Sequence, residues 1–268
     1  MRFYIAHAGG GVAHDDRPSV LPQPERQTMA ETHTVKSYDD ELSQLTSKLL
    51  RMGGLAEAQL AGAIQAVTRL DTELAGRVIG GDRAIDEYDA EVTASVTRIL
   101  ALRQPMAVDL RGVVGGLRLA IEIERIGDYA ANISKRAIAL SQAGSVRQMA
   151  AIPRMGALVQ SMIKDVLDAL ARRDAEQAED VWRRDGEVDD LYNSLFRELL
   201  TYMLEDPRTI TSCAHLLFIA KNIERIGDHA TNIAEEIYFM VKGARLTEER
   251  PKGDNTSNFS GIDSVGTL

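Results

Sequence analysis

Apolar residues recur at intervals of three and four positions along most of the chain, beginning near residue 38. This spacing places them on one face of an α-helix, and no stretch of useful length alternates with a period of two. The sequence therefore predicts an all-α protein without a sheet. The first such run comprises Leu42, Leu45, Leu49, Met52, Ala56, Leu60, Ala63, Val67 and Leu70.

Breaks between these runs predict six long helices. Asp71 and Asp174 are placed to cap the second and fifth helices, and Asp174 with Gln177 resembles a capping box. Pro105 and Pro207 suit the first turns of the third and sixth helices, where a missing amide proton costs nothing. The predicted helices cover approximately residues 38–70, 72–103, 105–144, 153–172, 174–206 and 207–242.

A hexapeptide that occurs twice indicates that the chain is a duplication. Ile-Glu-Arg-Ile-Gly-Asp covers residues 123–128 and returns unchanged at 223–228, although the Tyr129 that follows is replaced by His229. With three predicted helices in each half, the expected fold class is all-α, with two tandem and similar three-helix bundles. We expect these bundles at residues 37–143 and 147–243.

Both ends of the chain lack the helical spacing. Residues 1–36 contain three consecutive glycines and scattered charges, and residues 244–268 consist mostly of small and polar types. Such compositions predict a disordered extension and a disordered tail. The first residues are also a poor secretion signal because glycines break their apolar stretch. Met29 is an alternative start of translation.

Composition narrows the classes of function. Hydrophobic residues make up 44% and charged residues 26%, which is typical of soluble globular proteins. A net charge of −9 argues against nucleic acid as a ligand and favours cations or basic partner surfaces. The single cysteine, Cys213, excludes an intrachain disulfide and fits a reducing compartment. Apolar runs are far shorter than the ~20 residues of a membrane span, so we expect a cytoplasmic protein.

Paired carboxylates are the candidate chemistry. The Glu and Asp of each hexapeptide lie four residues apart, so they stand about one turn apart on the same face of a helix. Like charges in this arrangement repel, and the intervening glycine weakens a helix by about 1 kcal/mol relative to alanine. Because both repeats contain these two destabilising features, we expect the acids and the glycine to have a function.

In the predicted third helix, an apolar stripe leads into the first acidic pair at the same spacing. We therefore expect Glu124 and Asp128 to face a neighbouring helix. The stripe comprises Leu110, Val114, Leu117 and Ile121.

The predicted second and fifth helices carry matching pairs of aspartates, also four residues apart. Each bundle then brings four carboxylates together, with a formal charge of −4 that calls for a cation. Oxygen ligands in this number suit Mg²⁺, Mn²⁺, Ca²⁺ or iron, and zinc is an alternative. The candidate metal ligands are Asp82, Asp86, Glu124 and Asp128 in the first bundle, and Asp185, Asp189, Glu224 and Asp228 in the second.

Other interpretations compete with a metal site. Carboxylates four residues apart usually belong to a solvated helix face, although four matching pairs count against this for the set. Arg125 and Arg225 are expected to form ion pairs with the acids rather than to capture an anion. A carboxylate-bridged, metal-dependent phosphohydrolase or oxidase is the enzyme alternative. Against it, no Glu-x-x-His motif occurs and no histidine is common to the two hexapeptide repeats.

The chain resembles the PhoU family of bacterial phosphate-uptake regulators. The resemblance spans about residues 37–243 and is carried by both Glu-Arg-Ile-Gly-Asp segments and by residues 103–111 and 228–235. It implies two three-helix bundles whose eight acids bind multinuclear metal clusters. Iron or zinc is the first expectation, and magnesium or manganese is the alternative.

The same resemblance implies a regulator rather than an enzyme. Family members repress the phosphate-starvation response and link a phosphate ABC transporter, through its ATPase subunit, to a sensor histidine kinase. We therefore expect these two proteins as partners and no nucleic acid. We also expect a homodimer that reaches the membrane only through its partners.

Overall fold

The structure is a computed structural model that describes residues 29–143 and 151–246, with side chains from Tyr38 onward. Its described part contains seven α-helices, a 3-10 turn at Pro207–Thr209 and no strand, which confirms the predicted all-α fold class. None of these helices is long and apolar enough to cross a membrane. The helices are α1 Met29–Arg69, α2 Thr72–Arg103, α3 Ala107–Ala143, α4 Ala151–Arg172, α5 Ala175–Arg183, α6 Asp185–Glu205 and α7 Ile210–Lys242.

The predicted capping residues are found at the helix ends. Asp71 accepts a hydrogen bond from the backbone N–H of Leu74 at 2.9 Å, which begins α2. Asp174 accepts one from the backbone N–H of Gln177 at 3.1 Å, which begins α5. At the other end of the chain, α7 stops at Gly243, whose φ of 75° is easily adopted only by glycine.

Three helix boundaries differ from the prediction. Helix α1 begins at residue 29 rather than 38, so its first turns fall within the predicted extension. The predicted helix 174–206 is interrupted at Arg184, which keeps right-handed dihedral angles (φ −84°, ψ −4°), so that α5 and α6 meet at a kink. Helix α3 begins after Pro105 because Gln104 and Ala107 have positive φ angles of 48° and 45°. Residues 1–28, 144–150 and 247–268, which include most of the predicted extension and tail, lie outside the described residues.

Each repeat packs its helices around apolar side chains. Helices α1, α2 and α3 contact one another, as do α4, α7 and the α5–α6 pair. The two groups share one continuous core, because α3 packs extensively along α7 and α1 packs against α4. On α3 the buried stripe consists of Leu119, Ile123, Ile126 and Ile133.

The second stripe predicted on the third helix does not face a neighbouring helix, so this prediction is wrong. Leu110, Val114 and Ile121 are exposed, and Leu117 is half-buried at the edge of the core. Helix α3 uses its other faces to contact α1, α2 and α7, which leaves this one to solvent. The acids of α3 therefore do not continue a buried apolar surface.

Reciprocal contacts between α1 and α4 relate the two repeats by approximate two-fold symmetry. Leu167 fills the space beside Gly53, and Ile64 fills the space beside Gly156. Residues 156 and 167 follow residues 53 and 64 by 103 positions in each case, so the partners exchange roles across the contact. Such reciprocity characterises the interface of a two-fold dimer, and here it occurs within one chain.

The same symmetry relates α3 and α7. Tyr129 and His229, which occupy matching positions after the two hexapeptides, stack with their ring centroids 5.5 Å apart. A contact between equivalent residues must lie at the symmetry axis. The axis therefore passes close to Asp128 and Asp228, the last residues of the two hexapeptides.

Side chains on the two sides of this axis occupy equivalent positions but form different interactions. On one side, Arg118 forms an ion pair with Glu236 at 3.2 Å. At the symmetry-related place, the guanidinium of Arg136 lies 4.3 Å from the ring centroid of Phe218. The two halves thus have the same backbone plan and use different interactions to hold it.

An ion pair between Arg103 and Glu41 joins the end of α2 to α1. The guanidinium of Arg103 donates two hydrogen bonds to the carboxylate of Glu41, at 2.9 and 3.0 Å. These bonds hold the pKa of Glu41 below its ordinary value. A carboxyl whose pKa is lowered on folding stabilises the fold above its unfolded pKa, and this stabilisation is lost as the pH falls through the folded pKa.

We expect Glu41→Gln to lower the melting temperature near neutral pH, because Arg103 loses its charged partner. The difference from wild type should shrink below about pH 4.3, the ordinary pKa of glutamate. Thermal unfolding followed by circular dichroism over this pH range would measure it. Glu73→Gln is the matched control, since the Glu73–Arg77 pair lies on the exposed surface and should contribute little. A difference that stays constant with pH would contradict this account.

Candidate metal centres

The four acids predicted as ligands in the first bundle come together between α2 and α3. Burial raises the pKa of Glu124, and the nearby carboxylates of Asp128 and Asp86 raise it further. Burial also raises the pKa of Asp82, again with added contributions from Asp128 and Asp86. Carboxylates of the two helices are therefore near enough to influence one another, and we call these four acids the first cluster: Asp82, Asp86, Glu124 and Asp128.

Gly127 lets Asp82 approach the backbone of α3. A Cβ atom at this position would lie 3.1 Å from Oδ1 of Asp82 and 2.7 Å from Cδ1 of Ile85. The glycine of the first hexapeptide thus makes room for a carboxylate from the neighbouring helix. A larger residue would push that carboxylate away from the cluster.

Two polar residues beside the first cluster were not predicted from the sequence. Asp89 lies close enough to raise the pKa of Glu124, and its Oδ1 atom is buried without a hydrogen-bond partner. Gln59 of α1 lies beside Gly127, and its Oε1 atom is also buried without one. Asp89 could have been found because it continues the face of the two aspartates on α2 at the helical spacing. Gln59 gives no such signal.

Arg125 neutralises part of the first cluster. Its guanidinium lies 3.0 Å from Oδ2 of Asp128 and 3.5 Å from Oε2 of Glu124, which confirms the ion pairing predicted for this residue. The side chain of Arg125 is 53% exposed and has room to turn toward solvent. Its counterpart Arg225 lies over the ring of Tyr129, 5.7 Å from the centroid, in a cation–π contact that the sequence did not predict.

Three of the four acids of the second bundle are deeply buried. Asp185, Asp189 and Glu224 expose only 3%, 5% and 5% of their surfaces. Burial is the main reason that the pKa of Glu224 is raised, and the carboxylates of Asp228 and Asp189 raise it further. These acids form the second cluster, between α6 and α7: Asp185, Asp189, Glu224 and Asp228.

Thr231 holds Asp185 at the start of α6. The hydroxyl of Thr231 lies 3.1 Å from Oδ1 of Asp185 and 3.0 Å from the backbone carbonyl of Gly227, and it can donate to either. Asp185 is thereby held against α7 by the residue one turn beyond Gly227, whereas Asp82 lies directly beside Gly127. The first aspartate of each predicted pair thus contacts the helix that carries the hexapeptide, through different neighbours.

Glu224 is held by a lysine of its own helix. Nζ of Lys221 lies 2.8 Å from Oε1 of Glu224 and 5.0 Å from the ring centroid of Tyr192. The other carboxylate oxygen, Oε2, is buried without a hydrogen-bond partner. Leaving a buried acceptor unsatisfied costs about 1–3 kcal/mol, and more when the group is charged. A cation at this oxygen would remove that cost.

The donor set fits a hard cation, but the carboxylates are not arranged as a finished site. In the residues that the structure describes, no three His, Cys, Asp or Glu side chains converge closely enough to hold one metal ion. Glu124 and Glu224 are instead turned to Arg125 and Lys221. Ligation therefore requires these side chains to change rotamer, and the eight acids remain predicted ligands.

Fold and clusters together define an all-α protein made of two repeated bundles, each with a set of facing acidic pairs. Comparison of the chain with protein-family models identifies this class of protein. The PhoU domain model matches residues 49–137 and 152–237, once in each half of the chain. The chain belongs to the PhoU family.

Relatives match this chain over nearly their full length. A protein of Caulobacter vibrioides strain NA1000 is 54% identical over 223 residues, which are 83% of this chain and 97% of the relative. A protein of Rhizobium meliloti strain 1021 is 46% identical over 235 residues, which are 87% of this chain and 99% of the relative. Both relatives are named phosphate-specific transport system accessory protein PhoU homolog.

Solved structures have the same fold. The crystal structure of PhoU from Pseudomonas aeruginosa matches with a TM-score of 0.75 and 40% identity, covering 77% of this chain and all 100% of that one. The phosphate transport system regulatory protein PhoU from Streptococcus pneumoniae matches with a TM-score of 0.72 and 28% identity, covering 79% and 100%. The fold described above is thus that of the family.

We expect Gly127→Ala and Gly227→Ala to differ in their effect on stability. An added methyl at residue 127 would crowd Ile85 and Asp82, whereas at residue 227 the nearest atom belongs to Val188 at an ordinary 3.4 Å. The first substitution should destabilise the protein by about 1–3 kcal/mol. The second should be neutral or stabilising by up to about 1 kcal/mol, because alanine is the better helix former. Urea unfolding of the two variants compares them, and equal stability of both would contradict the role given to Gly127.

Proposed function

We propose that this protein is a negative regulator of phosphate uptake and of the phosphate-starvation response. It acts as an adaptor between a phosphate ABC transporter and a sensor histidine kinase. The observation that carries the proposal is similarity over nearly the whole length of relatives named as accessory proteins of phosphate-specific transport. The duplicated hexapeptide and its facing aspartates are present in full, so the residues that define the likeness are intact.

Exposed apolar side chains support a role in protein binding. Leu102 and Met106 stand out at the α2–α3 turn, and Leu204 and Ile210 at the α6–α7 turn. Large exposed apolar patches commonly mark contact surfaces, and these turns each present two exposed apolar side chains. A net charge of −9 favours partners with basic surfaces over nucleic acid. The proposed partners are the transporter's ATPase subunit and the kinase, and the proposed assembly is a homodimer.

We propose further that each acid cluster binds metal. Iron or zinc is the first candidate, and magnesium or manganese is the alternative. Bound metal supplies positive charge that offsets carboxylate repulsion and ties two helices of a bundle together. The buried Oε2 of Glu224 supports this assignment because it has no hydrogen-bond partner, although Lys221 pairs with the other oxygen, and because the carboxylates of Asp228 and Asp189 lie nearby. The residues that would hold the metals are Asp82, Asp86, Glu124 and Asp128, and Asp185, Asp189, Glu224 and Asp228.

A metal-dependent phosphohydrolase or oxidase has less support. His229 is the histidine next to an acid of the second cluster, but its Nδ1 atom is bound to Glu122 at 2.6 Å and its ring stacks on Tyr129. This residue therefore serves the contact between α3 and α7. Turnover of a phosphate ester by the metal-loaded protein would restore the enzyme alternative.

Deleting the gene should leave phosphate-starvation genes switched on in phosphate-rich medium, because the adaptor no longer reports phosphate sufficiency to the kinase. Transcript levels in the deletion strain and in strains complemented with wild type or with Asp128→Ala/Asp228→Ala measure this. Affinity capture should recover the transporter's ATPase subunit or the kinase. Normal repression in the deletion strain, with no second copy of the gene in the genome, would refute the regulatory role.

Removing metal should lower the melting temperature of the wild-type protein. A ligand that binds only the native state at a hundredfold excess over its Kd adds about 2.7 kcal/mol, or roughly 5–10 °C for a protein of this size. Melting with and without a chelator measures this shift. Asp128→Ala/Asp228→Ala should abolish the sensitivity to chelator, whereas Asp190→Ala, a control on the exposed side of α6, should retain it. A double variant with unchanged sensitivity would place the metal elsewhere.

A further inference from the structure

The two acid clusters differ in the cation that lies beside their glutamate. The first cluster has Arg125, whose side chain is 53% exposed, and the second has Lys221. Lys221 precedes Glu224 by three residues on α7, and the matching residue of α3 is Ile121, which is 48% exposed. Nζ of Lys221 lies 2.8 Å from Glu224, and the lysine side chain is only 31% exposed. The first repeat thus places an aliphatic side chain where the second places an ammonium group.

A second difference reinforces the first. Asp89 of α2 stands beside the first cluster, and the residue in its place on α6 is Tyr192. Tyr192 presents its ring to Lys221, whose Nζ lies 5.0 Å from the centroid. The first cluster therefore has a fifth carboxylate nearby to offset the charge of Arg125, whereas the second has an ammonium held by a carboxylate and an aromatic face.

We infer that the two clusters bind metal ions with unequal affinity, and that Lys221 is the residue that weakens the second. This inference rests on the metal binding proposed above and specifies how the two sites differ. A metal that enters beside Glu224 meets the ammonium of Lys221 or must displace it. Either event lowers affinity in the second cluster. The first cluster has no cation at Ile121, and its Arg125 is half exposed and has room to turn toward solvent.

The size of the effect follows from the charges. A unit charge about 5 Å from a divalent ion repels it enough to weaken binding by about tenfold, even with the dielectric constant of water. Displacing Lys221 instead would break its ion pair with Glu224 and its contact with Tyr192. We therefore expect the second cluster to be weaker by about tenfold or more.

Lys221 has a second consequence for the protein without metal. It gives the buried Glu224 a permanent counter-ion, whereas Glu124 relies on the more exposed Arg125. The second bundle should therefore depend less on metal for its stability than the first. Replacing Lys221 should reverse this, since a buried carboxylate would then lack its partner.

Two reciprocal substitutions test the inference. Lys221→Ile gives the second repeat the residue of the first, and Ile121→Lys does the opposite. Metal-stripped protein is titrated with Mn²⁺, and free Mn²⁺ is followed by its electron paramagnetic resonance signal. Wild type should show two classes of site. Lys221→Ile should tighten the weaker class by about tenfold, and Ile121→Lys should weaken the tighter class by a similar factor.

Three controls make the assignment specific. Asp86→Asn should affect only the tighter class and Asp189→Asn only the weaker one. Lys164→Met removes another lysine that pairs with an acid on its own helix, Asp168, and should leave both classes unchanged. Without metal, Lys221→Ile should melt at a lower temperature than wild type and gain more from added Mn²⁺. If that variant fails to fold, Lys221→Met keeps the length of the side chain without its charge.

The outcomes distinguish a failure of this inference from a failure of the metal-binding proposal on which it rests. Two equal classes in wild type, or a weaker class that ignores Lys221→Ile and Lys221→Met, would overturn the inference while leaving metal binding intact. Failure of wild type to bind Mn²⁺ at either cluster would overturn the inference together with Mn²⁺ binding by the acids. The proposed regulatory role would still be tested separately, by transcript levels in the deletion strain.

Discussion

The packing of α3 against α7 is the contact on which the rest of the structure depends. Both helices carry a hexapeptide, and each must hold two acids toward a partner helix while its other faces join the halves of the molecule. Stacking of Tyr129 on His229 fixes where the helices meet. Because carboxylates repel, a cluster persists only where apolar packing outweighs that repulsion. Here the buried Ile123 and Ile223, each adjacent to the glutamate of its hexapeptide, contribute to the core that does so.

Local sequence signals predicted most of the fold, and tertiary contacts account for what they missed. Spacing of apolar residues and the caps at Asp71 and Asp174 were sufficient to place the helices, because those effects act within one turn. The kink at Arg184 gave no such signal, since this side chain reaches across to Asp165 of α4 at 2.7 Å. The exposed face containing Val114 was predicted to pack against a neighbouring helix. That prediction failed because an apolar stripe has the same sequence pattern whether the surface that covers it belongs to this chain or to another protein.

The candidate sites show the same division. Duplication pointed to all eight acids, and the structure places each set on two neighbouring helices, where several of the carboxylates influence one another. Gln59 and Lys221 were not foreseen, because each approaches its cluster through a contact that has no counterpart in the other repeat. The repeat identifies residues that the two halves share, but it gives no information about residues that differ between them.

Joining the halves in one chain has a consequence for how each can change. In a dimer of identical subunits every substitution at a two-fold contact appears on both sides, so a residue must be compatible with its own copy. A covalent pair is free of that condition. Tyr129 stacks on His229, a pairing of unlike residues that identical subunits could not form at their symmetry axis. His229 also binds Glu122, a contact that identical subunits would have to form on both sides of the axis. A single chain thus lets the two halves carry different side chains at equivalent positions of one symmetric fold.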